Sequence, residues 1–118
     1  MHIDGSSFGS ITIDGKTYEH DVTINLAGKV RKRKKKLSKQ QYGTSHIISE
    51  AEAESVYEKG CEGLIVGTGQ AGNVRLSPEA EAYFEKKGCA VLLQPTQDAI
   101  RSFNRSQDRK IALIHVTC

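Results

Sequence analysis

Hydrophobic residues follow two different periods along the chain. In the N-terminal part, apolar and polar residues alternate in Ile11-Thr12-Ile13, and this period of two predicts a β-strand. The pair Asp14-Gly15 that follows is typical of a two-residue hairpin turn, so residues 18–25 are expected to return beside that strand. Residues 1–36 are therefore predicted to form a β-meander that extends from the rest of the fold.

From residue 49 onward the period becomes helical, and predicted helices alternate with short apolar strands. The residues expected to cap the three helices are Ser49, Ser77 and Thr96. The strands that follow them are expected at residues 64–66, 90–93 and 111–116. Three successive αβ units in residues 49–118 predict parallel strands joined by right-handed crossovers.

The two regions together fit one domain. A chain of 118 residues can bury a core of its own, and its longest apolar runs, at 90–93 and 111–114, are far too short to span a bilayer. The predicted fold class is α/β: a single three-layer domain over residues 1–118, with a mostly parallel central sheet and the N-terminal β-meander or hairpin extension.

Cysteine usage indicates a reducing compartment. Cys61, Cys89 and Cys118 are an odd number with no short spacing, which argues against a disulfide framework or a metal knuckle. No metal site and no cofactor is expected. The N-terminus has neither a basic start nor an apolar stretch that would mark secretion, so the expected location is the cytoplasm.

The segment after the strand at 64–66 has the glycine spacing of a dinucleotide-binding loop, G-x-G-x-x-G, from Gly67 to Gly72. Such a loop should open directly into a helix, whereas four residues precede the Ser77 cap here. The acidic residue expected at the end of the next strand is also missing, because Gln94 stands there. A tight glycine turn is therefore favoured over a cofactor site.

A weaker hypothesis places a ligand at the carboxyl ends of the parallel strands, where loops from several strands meet. A small anion or a carboxylate would bind there to backbone amides, hydroxyls and an imidazole. The alternative is that these polar groups only cap loops. The candidate residues of this strand-end crevice are Gly67, Thr68, Gly69, Gln70, Gly72, Arg75, Thr96, His115, Thr117 and Cys118.

Cysteine catalysis is the next candidate, because Cys118 lies near His115 and a thiolate needs a neighbouring base. Strand alternation weakens it, since His115 and Cys118 would point to opposite faces. Cys61 and Cys89 open equivalent strands, at the edge opposite Cys118, and are expected to be small buried side chains. No catalytic residue is assigned.

Six consecutive bases make the overall charge positive. The net charge is +3, and without this basic run the remaining 11 basic and 14 acidic residues would give −3. The run consists of Arg31, Lys32, Arg33, Lys34, Lys35 and Lys36. It could bind nucleic-acid phosphates, but no aromatic side chains interleave it, and glutamates of the predicted helices offer an intramolecular alternative.

Several segments together resemble a known family: Ser7-Phe8-Gly9-Ser10-Ile11, Tyr42-Gly43-Thr44-Ser45-His46, Gly67-Thr68-Gly69-Gln70, Leu93-Gln94-Pro95-Thr96 and His115-Val116-Thr117-Cys118. The chain is similar over nearly its whole length to a small α/β domain of unknown function from archaea and bacteria. Its animal relatives include an adipogenesis-associated protein and a mitochondrial complex I assembly factor. The resemblance implies a single α/β domain and supplies no activity, cofactor or catalytic residue.

The function expected first is non-enzymatic binding of another protein, or self-association, without a membrane partner. A small-ligand enzyme or sensor using the strand-end crevice is the second hypothesis. Nucleic-acid binding by the basic run is the third. No acid pair, metal-ligand spacing or hydrolase motif strengthens the enzyme class.

Overall fold

The computed structural model describes residues 1–118 and divides the strands among three sheets. The strands are β1 (Ile3–Ser7), β2 (Ser10–Ile13), β3 (Lys16–Tyr18), β4 (Val22–Ile24), β5 (Val30–Lys32), β6 (Ile47–Ile48), β7 (Gly63–Thr68), β8 (Arg75–Leu76), β9 (Ala90–Gln94) and β10 (Lys110–His115). The helices are α1 (Lys36–Tyr42), α2 (Glu50–Val56), α3 (Pro78–Lys86) and α4 (Thr96–Arg105). None of the helices is long and apolar enough to cross a membrane.

The central sheet is mixed, and the prediction of a mostly parallel sheet is wrong on this point. Its strand order is β5-β4-β10-β7-β9. The β10–β7 and β7–β9 pairs are parallel, as the αβ units predict, but β4 pairs antiparallel with both β10 and β5. Val22 and Ile24 of β4 are buried in the core, so burial of this apolar face joins the β4–β5 hairpin to the central sheet.

The N-terminal meander is shorter than the sequence predicts. Strands β1, β2 and β3 form a separate antiparallel sheet, and Asp14 and Gly15 adopt positive φ in the turn between β2 and β3, which confirms that hairpin. The expected single strand over 18–25 is instead split between two sheets. The amide side chain of Asn104 on α4 bonds both backbone groups of Ile3, which anchors this small sheet to the helix.

The central sheet buries both of its faces. Ala112 and Ile114 of β10 belong to one apolar cluster, together with α4 and the N-terminal sheet. Ile111 and Leu113 belong to a second cluster on the opposite face, together with α2 and α3. This alternation along β10 follows directly from the period of two in strand side chains.

Two of the three predicted helix caps are confirmed. The Ser49 hydroxyl accepts from the Glu52 backbone N–H at 3.1 Å, and the Ser77 hydroxyl accepts from the Ala80 backbone N–H at 3.0 Å. Thr96 is not a cap, because it is the first residue of α4 and its hydroxyl bonds to other segments. Helix α1 lies between the predicted β-meander and the first predicted αβ unit, in a segment for which the sequence predicts no helix or strand.

Candidate functional site

The candidate residues of the strand-end crevice lie in three segments of the chain, and these segments come together. The Thr96 hydroxyl donates to the His115 carbonyl oxygen at 2.6 Å and accepts from the Gly69 backbone N–H at 3.0 Å. The Gln70 backbone N–H donates to the Thr117 carbonyl oxygen at 2.7 Å. The glycine loop, the start of α4 and the residues after β10 are therefore joined by direct hydrogen bonds.

These contacts close the crevice. A Cβ atom on Gly69, which has φ +107°, would lie 2.6 Å from the carbonyl carbon of Cys118, so only glycine fits there. The Gly72 amide is also engaged, because it donates to the Gly69 carbonyl oxygen. No surface cavity is lined by crevice residues. Ligand binding here stays a prediction, which the closed packing does not favour.

The other crevice candidates have different surroundings. Gln70 donates from its side chain to the Ser6 hydroxyl at 3.0 Å, and Thr68 is buried at the end of β7. Arg75 lies in β8, with its side chain exposed. The exposed Cys118 thiol has His46 as its imidazole neighbour, with 3.8 Å between Sγ and Nε2.

A buried ionic network centred on Arg33 lies beside the crevice, and the sequence did not indicate it. The Arg33 guanidinium donates from Nε to Glu52 Oε2 at 2.6 Å and from Nη1 to Asp21 Oδ2 at 2.9 Å. Its Nη2 donates to the Ser45 carbonyl oxygen at 2.7 Å. The Ser38 hydroxyl of α1 donates to Glu52. The side chains of Arg33, Asp21 and Glu52 are at most 5 % exposed. Each buried charge is therefore balanced by its partner in the network and not by water.

His115 joins this network through Asp21. Its Nδ1 lies 2.7 Å from Asp21 Oδ2, and its Nε2 lies 3.1 Å from the Thr117 hydroxyl oxygen. A carboxylate, an imidazole and a hydroxyl in this order can activate the hydroxyl as a nucleophile. None of the surface cavities is lined by Asp21, His115 or Thr117. The bonds of Asp21 to the His115 side chain and to the Val116 backbone N–H hold the end of β10 in place.

The network shifts the ionisation of its members. Burial raises the pKa of Asp21, but hydrogen bonds from His115 and the Val116 backbone N–H, with the charges of His115 and Arg33, outweigh it and lower the pKa from 3.8 to about 2. Burial alone would lower the pKa of Arg33. Its hydrogen bonds and ion pairs with Glu52 and Asp21 outweigh this effect, so the pKa of Arg33 lies above its ordinary value. The network therefore keeps Asp21 and Arg33 charged at neutral pH.

The basic run is divided by this network. Arg33 is only 3 % exposed and is paired internally, so its inclusion among the candidate nucleic-acid contacts is wrong. The other five bases of the run, and Lys39 on α1, are exposed. None of these six forms an ion pair, and the predicted pairing with helix glutamates occurs only between Arg33 and Glu52.

The two other cysteines form a buried thiol pair. Cys61 and Cys89 lie in the core with 3.4 Å between their sulfur atoms, which confirms the expected burial. Burial and the neighbouring Cys61 raise the pKa of Cys89 to about 12, so its thiol is protonated at neutral pH. A protonated, buried thiol is a poor nucleophile and a poor metal ligand.

Comparison with known proteins shows which family the chain belongs to. Residues 3–115 match the family model described as protein of unknown function, DUF498/DUF598. The chain belongs to the DUF498 family. This domain is similar to the conserved hypothetical protein PH1505 from Pyrococcus horikoshii, at 36 % identity over 100 % of both chains and a TM-score of 0.91. It is also similar to the protein MT938, at 33 % identity over 99 % of this chain and 98 % of that one, with a TM-score of 0.82.

More distant structures share the fold of the DUF498 domain. A Bordetella parapertussis protein is 21 % identical, with a TM-score of 0.76 over 98 % of this chain and 94 % of that one. The resemblance to a family of unknown function with archaeal and bacterial members is thereby confirmed, while its animal branch stays a prediction. Neither the family description nor the names of these relatives state an activity.

The two edges of the central sheet differ in character. At one edge, β5 of the DUF498 domain exposes Arg31 and Lys32. At the other edge, β9 carries no charged residue and leaves Leu92 43 % and Leu93 44 % exposed. A groove of about 580 Å³ lies beside β9, lined by β7, β9 and the end of α4, with the charged residues Glu62, Asp108 and Lys110 at its rim. The edge strand β9, with Leu92 and Leu93, is the largest exposed apolar feature of the sheet.

Proposed function

We propose that this DUF498 domain is a binding domain rather than an enzyme, and that it pairs with a second copy of itself along the free edge of β9. The observation that carries the proposal is the uncharged, apolar edge of β9, with its two exposed leucines. The absence of a cavity beside the Asp21, His115 and Thr117 side chains favours binding over catalysis.

Edge strands of monomeric proteins are normally protected against pairing, most often by charged side chains. The β5 edge follows this rule through Arg31 and Lys32. The β9 sequence Ala-Val-Leu-Leu-Gln has neither a charge nor a proline. A partner strand on β9 would both satisfy the free backbone groups and cover Leu92 and Leu93.

The backbone direction of β9 fits an antiparallel pair of copies. The Ala90 backbone N–H donates inward to the Glu62 carbonyl oxygen, so by alternation the N–H and C=O groups of Val91 and Leu93 point to the free edge. A two-fold axis at Leu92 sets Val91 of each copy opposite Leu93 of the other, which gives about four backbone hydrogen bonds. The two Leu92 side chains then lie side by side, and no like charges meet in the paired strands.

Replacing Leu92 with lysine is expected to abolish this association. Light scattering after size exclusion should give about 26 kDa, twice the 13.0 kDa chain mass, for the unmodified protein, and the monomer mass for Leu92→Lys. The reason is that two ammonium groups would lie side by side across the two-fold axis, and like charges directly opposite each other destabilise strand pairing.

Phe8→Lys is the matched control. Phe8 is 70 % exposed at the turn between β1 and β2, in the N-terminal sheet and not in the central sheet that β9 ends, so this variant should keep the dimer mass. The proposal is wrong if the unmodified protein stays monomeric at all concentrations up to about 1 mM, where even weak edge-strand pairing would show. Loss of the dimer in both variants also contradicts it.

A cytoplasmic location is part of the proposal. All three cysteines are free thiols, and Cys118 is exposed, which fits a reducing compartment.

A further inference from the structure

A patch of six exposed cations covers β5 and α1, at the edge of the sheet opposite β9. This cationic patch consists of Arg31, Lys32, Lys34, Lys35, Lys36 and Lys39. We infer that it binds the phosphate backbone of a nucleic-acid duplex without regard to base sequence. Because the patch lies at the other end of the sheet, the inference does not depend on pairing through β9.

The fold does not use the charges of the patch. None of its six cations forms an ion pair, although the chain has 14 acidic residues. Without the patch the chain would carry 11 basic and 14 acidic residues, a net charge of −3. The positive net charge thus comes from β5, α1 and the segment between them in an otherwise acidic protein, and the ions that balance it come from outside the fold.

The position of the lysines on α1 is unfavourable for the helix. Lys35 is the N-cap residue and Lys36 the first helical residue, and the first turn contains no acidic side chain. Cations at a helix N-terminus oppose the helix dipole, and like charges four residues apart, as in Lys35 and Lys39, repel one another. Residues that weaken the local structure are expected where they contribute to binding.

Arg33 holds the backbone in the middle of the patch. Its ion pairs with Asp21 and Glu52, and its bond to the Ser45 carbonyl oxygen, fix the segment between β5 and α1 against the core. The cations on both sides are therefore presented on an ordered backbone, which reduces the entropy lost on binding. The patch differs in this respect from a basic tail that must order itself on its ligand.

The surroundings of the patch favour a duplex over other polyanions. Leu37 and Tyr42 are its only large apolar side chains, and both are half-buried. Protein interfaces have an apolar or aromatic centre, stable membrane anchoring needs an apolar face or a lipid beside the charges, and single strands need aromatic side chains to stack on. Contact with phosphates alone, typical of sequence-independent duplex binding, requires only the cations.

The test measures how salt affects binding of a fluorescently labelled 30-base-pair DNA duplex by anisotropy. If all six cations contact phosphates, the logarithm of the association constant should fall against the logarithm of the KCl concentration with a slope of about −5. Affinity should then drop by about 10³-fold between 50 and 200 mM KCl. The inference is overturned by an absence of binding at 50 mM KCl with protein at 100 μM.

A pair of charge-matched variants locates the site. The triple variant Lys34→Gln, Lys35→Gln, Lys36→Gln should make the slope less steep by about 3. The control Lys59→Gln, Lys86→Gln, Arg105→Gln removes the same charge from exposed positions outside the patch and should leave the slope unchanged. Equal losses in both variants would contradict the inference. Competition by polyglutamate or by anionic lipid vesicles as strong as that by duplex would also contradict it.

Discussion

Replacement of Arg33 by alanine is expected to lower the free energy of unfolding by about 3–5 kcal/mol. Arg33 is the cation of the buried network and is paired with both Asp21 and Glu52. Its removal would leave two carboxylates in the core without a counter-charge. Total stabilities of domains are of the order of 5–15 kcal/mol, so the variant should approach unfolding at room temperature.

Urea denaturation at pH 7, followed by circular dichroism, measures this effect. The neighbouring Arg31→Ala variant is the control, because Arg31 is exposed and unpaired and its loss should change stability by less than about 0.5 kcal/mol. Similar losses in the two variants would show that the Arg33 ion pairs do not stabilise the fold.

Acid is expected to remove about 2 kcal/mol of stability through Asp21 alone. The pKa of Asp21 is about 2 in the folded protein, against 3.8 for the free side chain, so folding favours the ionised carboxylate. The sign follows from this order: the contribution is fully present above about pH 4 and is lost as the pH falls through about 2. Below that range Asp21 is protonated in both states and no longer contributes.

The Asp21→Asn variant separates this effect from that of the other carboxylates. Asparagine has a similar shape but does not titrate, so it lacks this part of the pH dependence. The unfolding free energies of the unmodified protein and the variant are measured in urea at pH 6, 4, 3 and 2. The difference between them should shrink by about 2 kcal/mol as the pH falls from 6 to 2. A difference that stays constant over this range would assign the acid sensitivity to other groups.

Local features of the fold could be predicted from the sequence. The Asp14-Gly15 hairpin and the Ser49 and Ser77 caps depend on side chains next to the backbone groups they affect. The placement of β4 could not be predicted in this way. Its partner β10 is distant in the chain, and only burial of Val22 and Ile24 decides between the meander and the central sheet.

The buried network around Arg33 is a second feature that could not be predicted from the sequence. Arg33 stands among five other bases, so its sequence neighbours indicate a solvated charge run, and its partners Asp21 and Glu52 are 12 and 19 residues away. For Thr96 the sequence suggested a functional role, and the structure gives it a structural one. Its polar side chain at a strand-end loop suggested a ligand contact, whereas buried hydroxyls need partners and this one finds them in the Gly69 amide and the His115 carbonyl.

The position of β10 has a consequence for how the chain folds. It lies between β4 and β7, yet both partners precede it by long stretches of chain. Until β10 is in place, the β4–β5 hairpin and the β7–β9 pair are separate fragments with exposed apolar faces. Insertion of this one strand joins them and brings His115 to Asp21. The central sheet should therefore form only after the longest loops of the chain have closed. The backbone amides of β10 should be the last to exchange with solvent.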